Sequence, residues 1–127
     1  MEGPRERKIG GKTAEEWRDL GYHEKDTEKR VRYYSFALQL DPRNLHAWYQ
    51  QGLALQKLGR LKEAASAFGK VLEADPSRYL AWYHRGIAEM ELGNPASAAE
   101  AFEKALDIEP SLADAWYQKG LAHEKLG

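Results

Sequence analysis

Four histidines, His23, His46, His84 and His123, hold most of the acid–base and metal-ligating capacity of this chain, because it has no cysteine and its carboxylates are scattered. A metal site needs several such ligands on one face, and a catalytic base needs a nucleophile or an orienting carboxylate beside it. The four histidines fall at different places in their surroundings, so they pair no ligands, and neither a metal nor a cofactor is expected. No phosphate loop or Ser/His/Asp set is visible, and the lack of cysteine removes thiolate chemistry. The spacing that does recur belongs to bulky uncharged side chains. Trp48-Tyr49, Trp82-Tyr83 and Trp116-Tyr117 lie 34 residues apart, and side chains with apolar bodies and polar tips serve recognition better than catalysis.

These pairs belong to longer copies. Ala47-Trp48-Tyr49-Gln50-Gln51-Gly52-Leu53-Ala54 returns as Ala81-Trp82-Tyr83-His84-Arg85-Gly86-Ile87-Ala88 and as Ala115-Trp116-Tyr117-Gln118-Lys119-Gly120-Leu121-Ala122. A fixed period of this size marks stacked repeats. The chain has 127 residues, 43% hydrophobic and 31% charged, with a net charge of -1, which suits one domain with its own core. Interspersed charges leave no broad basic field for nucleic acid, and the one basic cluster, Lys29, Arg30, Arg32 and Arg43, reads as a solvated helix face. No apolar run approaches the roughly 18 to 20 residues that span a bilayer, so membrane insertion is not expected. Met1 to Lys12 lacks the apolar middle of a secretory signal, and with no cysteine present a cytoplasmic location is expected.

Residues 1–12 contain Gly3, Pro4, Gly10 and Gly11 without apolar periodicity and read as a flexible tail. Thr13-Ala14-Glu15-Glu16 is a capping box that starts a helix. Trp17 and Gly21 echo the later Trp-to-Gly spacing, but Trp17 to Pro42 is 25 residues against 28 from Trp48 to Pro76. The first unit, 13–44, is therefore a turn short. The missing turn is expected near Glu24 to Thr27, with Asp26 or Thr27 capping a helix that runs to about Leu40. In the unit 45–78, Trp48, Gly52 and Leu55 lie at i, i+4 and i+7, and Ala64, Phe68 and Val71 repeat that spacing. Leu58-Gly59 ends the first helix and Ala74-Asp75-Pro76 the second. The unit 79–112 repeats the plan, with Asn94-Pro95 as a cap followed by proline at the first helical position. In 113–127 only the first helix is present, Ala113 to Leu126. Seven helices in an all-α chain result, with the glycines and Ala64 and Ala98 expected where helices come closest, and the tryptophans with Phe68 and Phe102 filling the space between them.

Trp48-x-x-x-Gly52-x-Ala54, Leu58-Gly59, Ala64, Phe68, Leu72 and Pro76 resemble the signature of the tetratricopeptide repeat family, strongly over 45–127 and weakly over 13–44. The resemblance implies a right-handed α-solenoid of antiparallel helix pairs, about three and a half repeats, and a protein-interaction module rather than an enzyme. The leucine usual before the glycine is replaced by Gln51, Arg85 and Lys119. Arg30 stands where later units have Ala64 and Ala98, which implies a splayed first pair or a different register there.

In that family the first helices line a concave groove, and the implied groove residues here are His46, Tyr49 and Leu53, then Leu80, Tyr83 and Ile87, then Asp114, Tyr117 and Leu121. Tyr49 and Leu53 share one helical stripe that recurs about 10 Å away on each neighbouring layer. Three tyrosines then form a ladder for an extended or helical segment of a partner, although the same residues also read as half-buried scaffold positions. Family members that clamp acidic chain ends use Lys followed four residues later by Asn at these places. Tyr49 with Leu53 and Tyr83 with Ile87 lack that pair, and Arg18 has the charge but Tyr22 lacks the amide, so an apolar or mixed segment is expected. RNA-reading helical repeats need stacking and basic residues in register, which Gln50, His84 and Gln118 do not supply. The last helix keeps the internal pattern. Trp116, Gly120, Ala122 and Leu126 are expected to await another helix, so self-association into a homo-oligomer through that end is the alternative function, as is the targeting module of a larger protein.

Overall fold

The computed structural model describes residues 6–127, and among them the chain is helical with no strand: α1 Ala14–His23, α2 Thr27–Leu40, α3 Leu45–Lys57, α4 Leu61–Ala74, α5 Tyr79–Glu91, α6 Pro95–Ile108 and α7 Ala113–Leu126. Local chemistry sets these limits. Thr13 Oγ1 accepts from the Glu16 N–H at 3.2 Å while Glu16 accepts from the Thr13 N–H, closing the capping box. Asp26 and Asn44 cap α2 and α3 through the N–H groups of Lys29 and Ala47, both at 3.0 Å. Asn94 departs from expectation, because its side chain donates to Glu89 at 2.9 Å rather than capping α6, which begins on Pro95. Gly59 and Gly93 take φ of 78° and 83°, and past them Arg60 and Asn94 donate back to Leu55 and Glu89, so the chain reverses in three residues. The missing turn of the first unit is taken from α1, which has 10 residues against 13 in α3 and α5.

Each helix packs on the next, and α3 also touches α5 as α5 touches α7. The odd-numbered helices thus form the closer layer, the inner wall of a curved stack. Its core is a column of three fully buried rings, Tyr34, Phe68 and Phe102, at the same 34-residue interval. Each ring lies across a glycine: a Cβ built on Gly21, Gly52 or Gly86 would come within 3.2, 2.7 and 2.6 Å of those rings. The glycines therefore make room for an aromatic side chain rather than for a facing backbone.

The first pair is neither splayed nor out of register. Tyr34 covers Gly21 at a distance only about half an ångström longer than in the later pairs. Arg30 lies over the Tyr34 ring, its guanidinium carbon 5.9 Å from the ring centre, and its Nη2 donates to Gln50 on α3 at 3.3 Å. The Tyr34 hydroxyl is buried without a hydrogen-bond partner, a costly arrangement that both later units avoid with Phe. Tyr34→Phe is expected to stabilise the chain by about 1 kcal/mol, read as a higher urea midpoint at unchanged slope. A lower midpoint would contradict it.

Trp48 packs against the core around Tyr34, Phe68 and Val71, and Trp82 against the last of these, as expected, but the tryptophans also have a second part. Trp48 and Trp82 are half-buried and Trp116 is 53% exposed. Each indole N–H donates at 2.8 Å to the carbonyl of the proline six residues earlier, Pro42, Pro76 or Pro110, tying the turn between units to the helix that follows. Trp17 does the same to Ile9 at 2.9 Å, and Ile9 pairs with Lys12 through two backbone hydrogen bonds. Residues 9 to 12 are thus a turn that belongs to the array, not a tail, because the buried Trp17 needs an acceptor; residues 1–5 lie outside the described residues.

The residues that replace leucine are matched across each seam between units. Gln51 is buried and donates to Val31 O at 3.2 Å and Ser35 Oγ at 2.8 Å. Arg85 lies over Gly69, and Lys119 reaches Glu103 at 3.7 Å. Ser35, Gly69 and Glu103 are themselves 34 residues apart, so each departure has its own hydrogen bond, clearance or counter-charge.

Candidate functional site

The inner wall carries the site. His46, Tyr49 and Gln50 on α3 and Leu80 on α5 line a hollow of about 290 Å³, together with Ser77, Arg78, Tyr79 and Ala81. That is small for a cofactor or drug-sized ligand but adequate for one side chain of a bound segment. Leu80 is 41% exposed and His46 is also exposed, leaving an apolar rim with a polar tip. No cluster of His, Asp and Glu able to hold a metal occurs among the described residues, and no helix there is long and apolar enough to cross a membrane.

Behind the hollow lies an aromatic cluster that spacing alone did not reveal. His84 is largely buried, stacked on Phe68 with ring centres 5.8 Å apart and met edge-on by Tyr49 at 5.8 Å and Tyr83 at 5.2 Å. Burial lifts the Tyr49 phenol above its usual pKa, and burial with the Asp114 carboxylate does the same for Tyr83. Both are therefore neutral donors at physiological pH.

Burial also holds the His84 imidazole below its ordinary pKa. Unfolding restores normal proton affinity, so the unfolded chain binds more protons once pH falls below about 6.5, and stability is lost from there down to the lower folded value. His84→Gln, which copies Gln50 and Gln118, is expected to flatten that part of the profile. Urea midpoints at about pH 7.5 and pH 5 test this; an equal drop in both proteins would contradict it.

Of the nine expected groove residues, the structure brings His46, Tyr49 and Leu80 to one hollow. Tyr83 and Ile87 pack against the core around Ala98 and Phe102, and Leu53 packs against the core containing Val31 and Phe68. These three, like Tyr49, serve the fold as well as the wall. Asp114 and Tyr117 are exposed further along, Tyr117 at 66%, and Leu121 is half-buried. The tyrosine ladder is joined through His84 for its first two rungs only. Gln50, Tyr79 and His84 were missed; the signal for His84 was its place directly after Tyr83, where an inward-turned ring meets the preceding unit.

At the far end Trp116 and Leu126 are exposed, and nothing lies within 4 Å of a Cβ built on Gly120. Ala122 does not belong with them. It is fully buried against Ala98, Ala99 and Phe102, because its side of α7 faces α6.

Antiparallel helix pairs stacked at a constant period, with a hollowed inner wall, define a helical-repeat scaffold. The family model described as tetratricopeptide repeat matches residues 31–68, 49–113 and 85–127, and the chain belongs to that family, whose fold builds interaction surfaces rather than catalytic centres. It is similar to the uncharacterized protein MJ0572 of Methanocaldococcus jannaschii, 42% identical over 43 residues, a match spanning 34% of this chain and half of that relative's length. Among solved structures it resembles MamA (TM-score 0.84, 24% identity, covering 87% of this chain and 67% of that one). It also resembles YrrB, described as a TPR protein with an unusual peptide-binding site (0.80, 29%, 87% and 59%). A third is the first TPR of Spaghetti (RPAP3), bound to the HSP90 peptide SRMEEVD (0.82, 20%, 89% and 92%). For MamA and Spaghetti the likeness is one of fold.

Proposed function

We propose that the chain is a protein-interaction scaffold whose α3–α5 wall takes an extended or helical segment of a partner, with one apolar or aromatic side chain entering the hollow between His46, Tyr49 and Leu80. The observation that carries this reading is the hollow itself: an exposed leucine and a tyrosine line a gap of side-chain size, on a wall that the family uses for interaction. YrrB, described as having a peptide-binding site, supports it by analogy. The test uses peptides selected from a displayed random library. His46→Glu with Leu80→Glu is expected to lower their affinity about tenfold or more, since it puts charge where apolar area is buried, while circular dichroism and oligomer mass stay unchanged. Undiminished binding would refute the assignment. Tyr83 and Ile87 are poorer targets because their loss also opens the core.

A second reading rests on Gly120. In the three complete pairs the equivalent glycine is covered by a ring, and here the place is open beside the exposed Trp116 and Leu126. On this reading α7 makes the biological contact, with a second copy of the chain. Light scattering over a concentration series decides: growth in mass that Gly120→Leu abolishes favours it, and a constant monomer mass excludes it.

A further inference from the structure

Next to that hollow lies a second one of different character. Lys25 from the α1–α2 turn, Arg30 from α2 and Lys57 from the end of α3 converge on a cavity of about 160 Å³, floored by Thr27, Gln50, Leu53 and Ala54. None of the three cations has an acidic partner among the described residues, whereas Arg18, Arg60 and Arg78 each pair with a carboxylate three residues away. The acids of the same turn are already engaged: Glu24 accepts from the Asp26 N–H at 3.1 Å and Asp26 from the Lys29 N–H at 3.0 Å. Arg30 is the telling member. The array puts alanine at its place in both later units, where the ring four residues on is Phe; here the guanidinium lies over the Tyr34 ring, 5.9 Å from its centre. It is partly buried there, with its Nε lacking a hydrogen-bond partner and its Nη2 held toward the wall by Gln50 at 3.3 Å. A half-buried cation without a counter-charge is a costly feature, and a bound carboxylate would supply what is missing.

The two hollows lie along the same helix, α3. His46, Tyr49, Gln50, Leu53, Ala54 and Lys57 follow at i, i+3, i+4, i+7, i+8 and i+11 along one stripe of α3, and Gln50 lines both cavities. At 1.5 Å per residue the stripe is about 16 Å long, which an extended segment covers in about five residues. We propose that the groove is bipartite: the Lys25, Arg30 and Lys57 corner binds an Asp or Glu side chain of the partner, about three to five positions from the apolar or aromatic side chain that fills the His46, Tyr49 and Leu80 hollow. Its three cations are none of the Arg18/Tyr22, Tyr49/Leu53 and Tyr83/Ile87 positions that correspond to the family's clamp for acidic chain ends, although Leu53 forms part of its floor. The inference rests on the groove reading and adds the chemical class of the partner.

Two displayed random peptide libraries test it, one fused through the peptide C-terminus and one with that terminus free. Selected sequences are expected to pair Asp or Glu with a large apolar residue at that separation in both formats. For a synthetic selected peptide, Lys25→Glu with Lys57→Glu should weaken binding about tenfold, more at low salt than at high salt, and the Glu→Gln peptide should bind both chains alike. Both lysines are exposed, so the fold tolerates the change. Acid enriched only as a free terminus overturns the side-chain assignment. Peptides that lack acid, ignore the lysine reversals, yet fail on the His46→Glu/Leu80→Glu chain overturn the cationic corner and leave the groove standing. No enrichment, or enrichment indifferent to that chain, overturns both.

Discussion

Replacing Gly86 by leucine is expected to destabilise the chain by about 3 kcal/mol, whereas the same replacement at Gly120 is expected to stabilise it by about 0.5 to 1 kcal/mol. The difference comes from what faces each glycine. A Cβ on Gly86 would lie 2.6, 2.8 and 2.9 Å from three atoms of the Phe102 ring, and that ring is fully buried, so α5 and α6 must separate to admit even one carbon. At Gly120 nothing lies within 4 Å, and the substitution only exchanges a poor helix former for a good one. Urea unfolding of the two variants beside the parent chain measures both signs in one experiment. Equal effects at the two sites would mean that ring-on-glycine packing does not organise the array.

Phe68→Ala carries the other large effect, about 3 to 5 kcal/mol, the range for emptying a fully buried aromatic position. Phe68 is 0% exposed, lies across Gly52 and belongs to the cluster with Val31, Ala54, Leu55, Ala64 and Ala67. The loss also reaches the inner wall, because His84 stacks on this ring and Tyr49 meets its edge. With the ring gone, water reaches the imidazole and its pKa is expected to rise toward about 6.5. Unfolding free energy and an NMR titration of the histidines check the two halves separately. A destabilised chain whose His84 titration does not move would show that the ring supports the fold without shielding the site.

The fold was legible to the extent that it depends on local signals. The 34-residue period, the capping box at Thr13, the glycines after Leu58 and Leu92 and the prolines after Asp41, Asp75 and Glu109 act within a few residues of where they stand. Roles that depend on the facing helix were harder to read. Trp48 packs against the core as its size and period imply, but its indole N–H also needs an acceptor and finds one at Pro42 on the rim, a tie that the spacing does not announce. Arg30 reads as an obstacle because its place is known from Ala64 and Ala98, but a long side chain can lie along the Tyr34 ring and reach the next unit with its tip. Ala122 read as open surface with Trp116, although the two lie on different sides of α7. Of the proposed groove, Tyr49 and Leu80 follow from the repeat. The proposed second half does not, because Lys25, Arg30 and Lys57 come from three elements with no shared spacing and meet only once α2 is folded against α3.

The central claim is that the inner wall of α3 and α5 is the surface at which this chain meets its partner. The most direct measurement is a two-dimensional ¹H–¹⁵N NMR map of the labelled chain titrated with a selected peptide. The account predicts the largest shifts at His46, Tyr49, Gln50, Leu80 and Tyr83, with Arg30 and Lys57 joining them when the peptide carries its acid. Shifts confined to the outer faces of α4 and α6, or to α7 around Gly120, would contradict it.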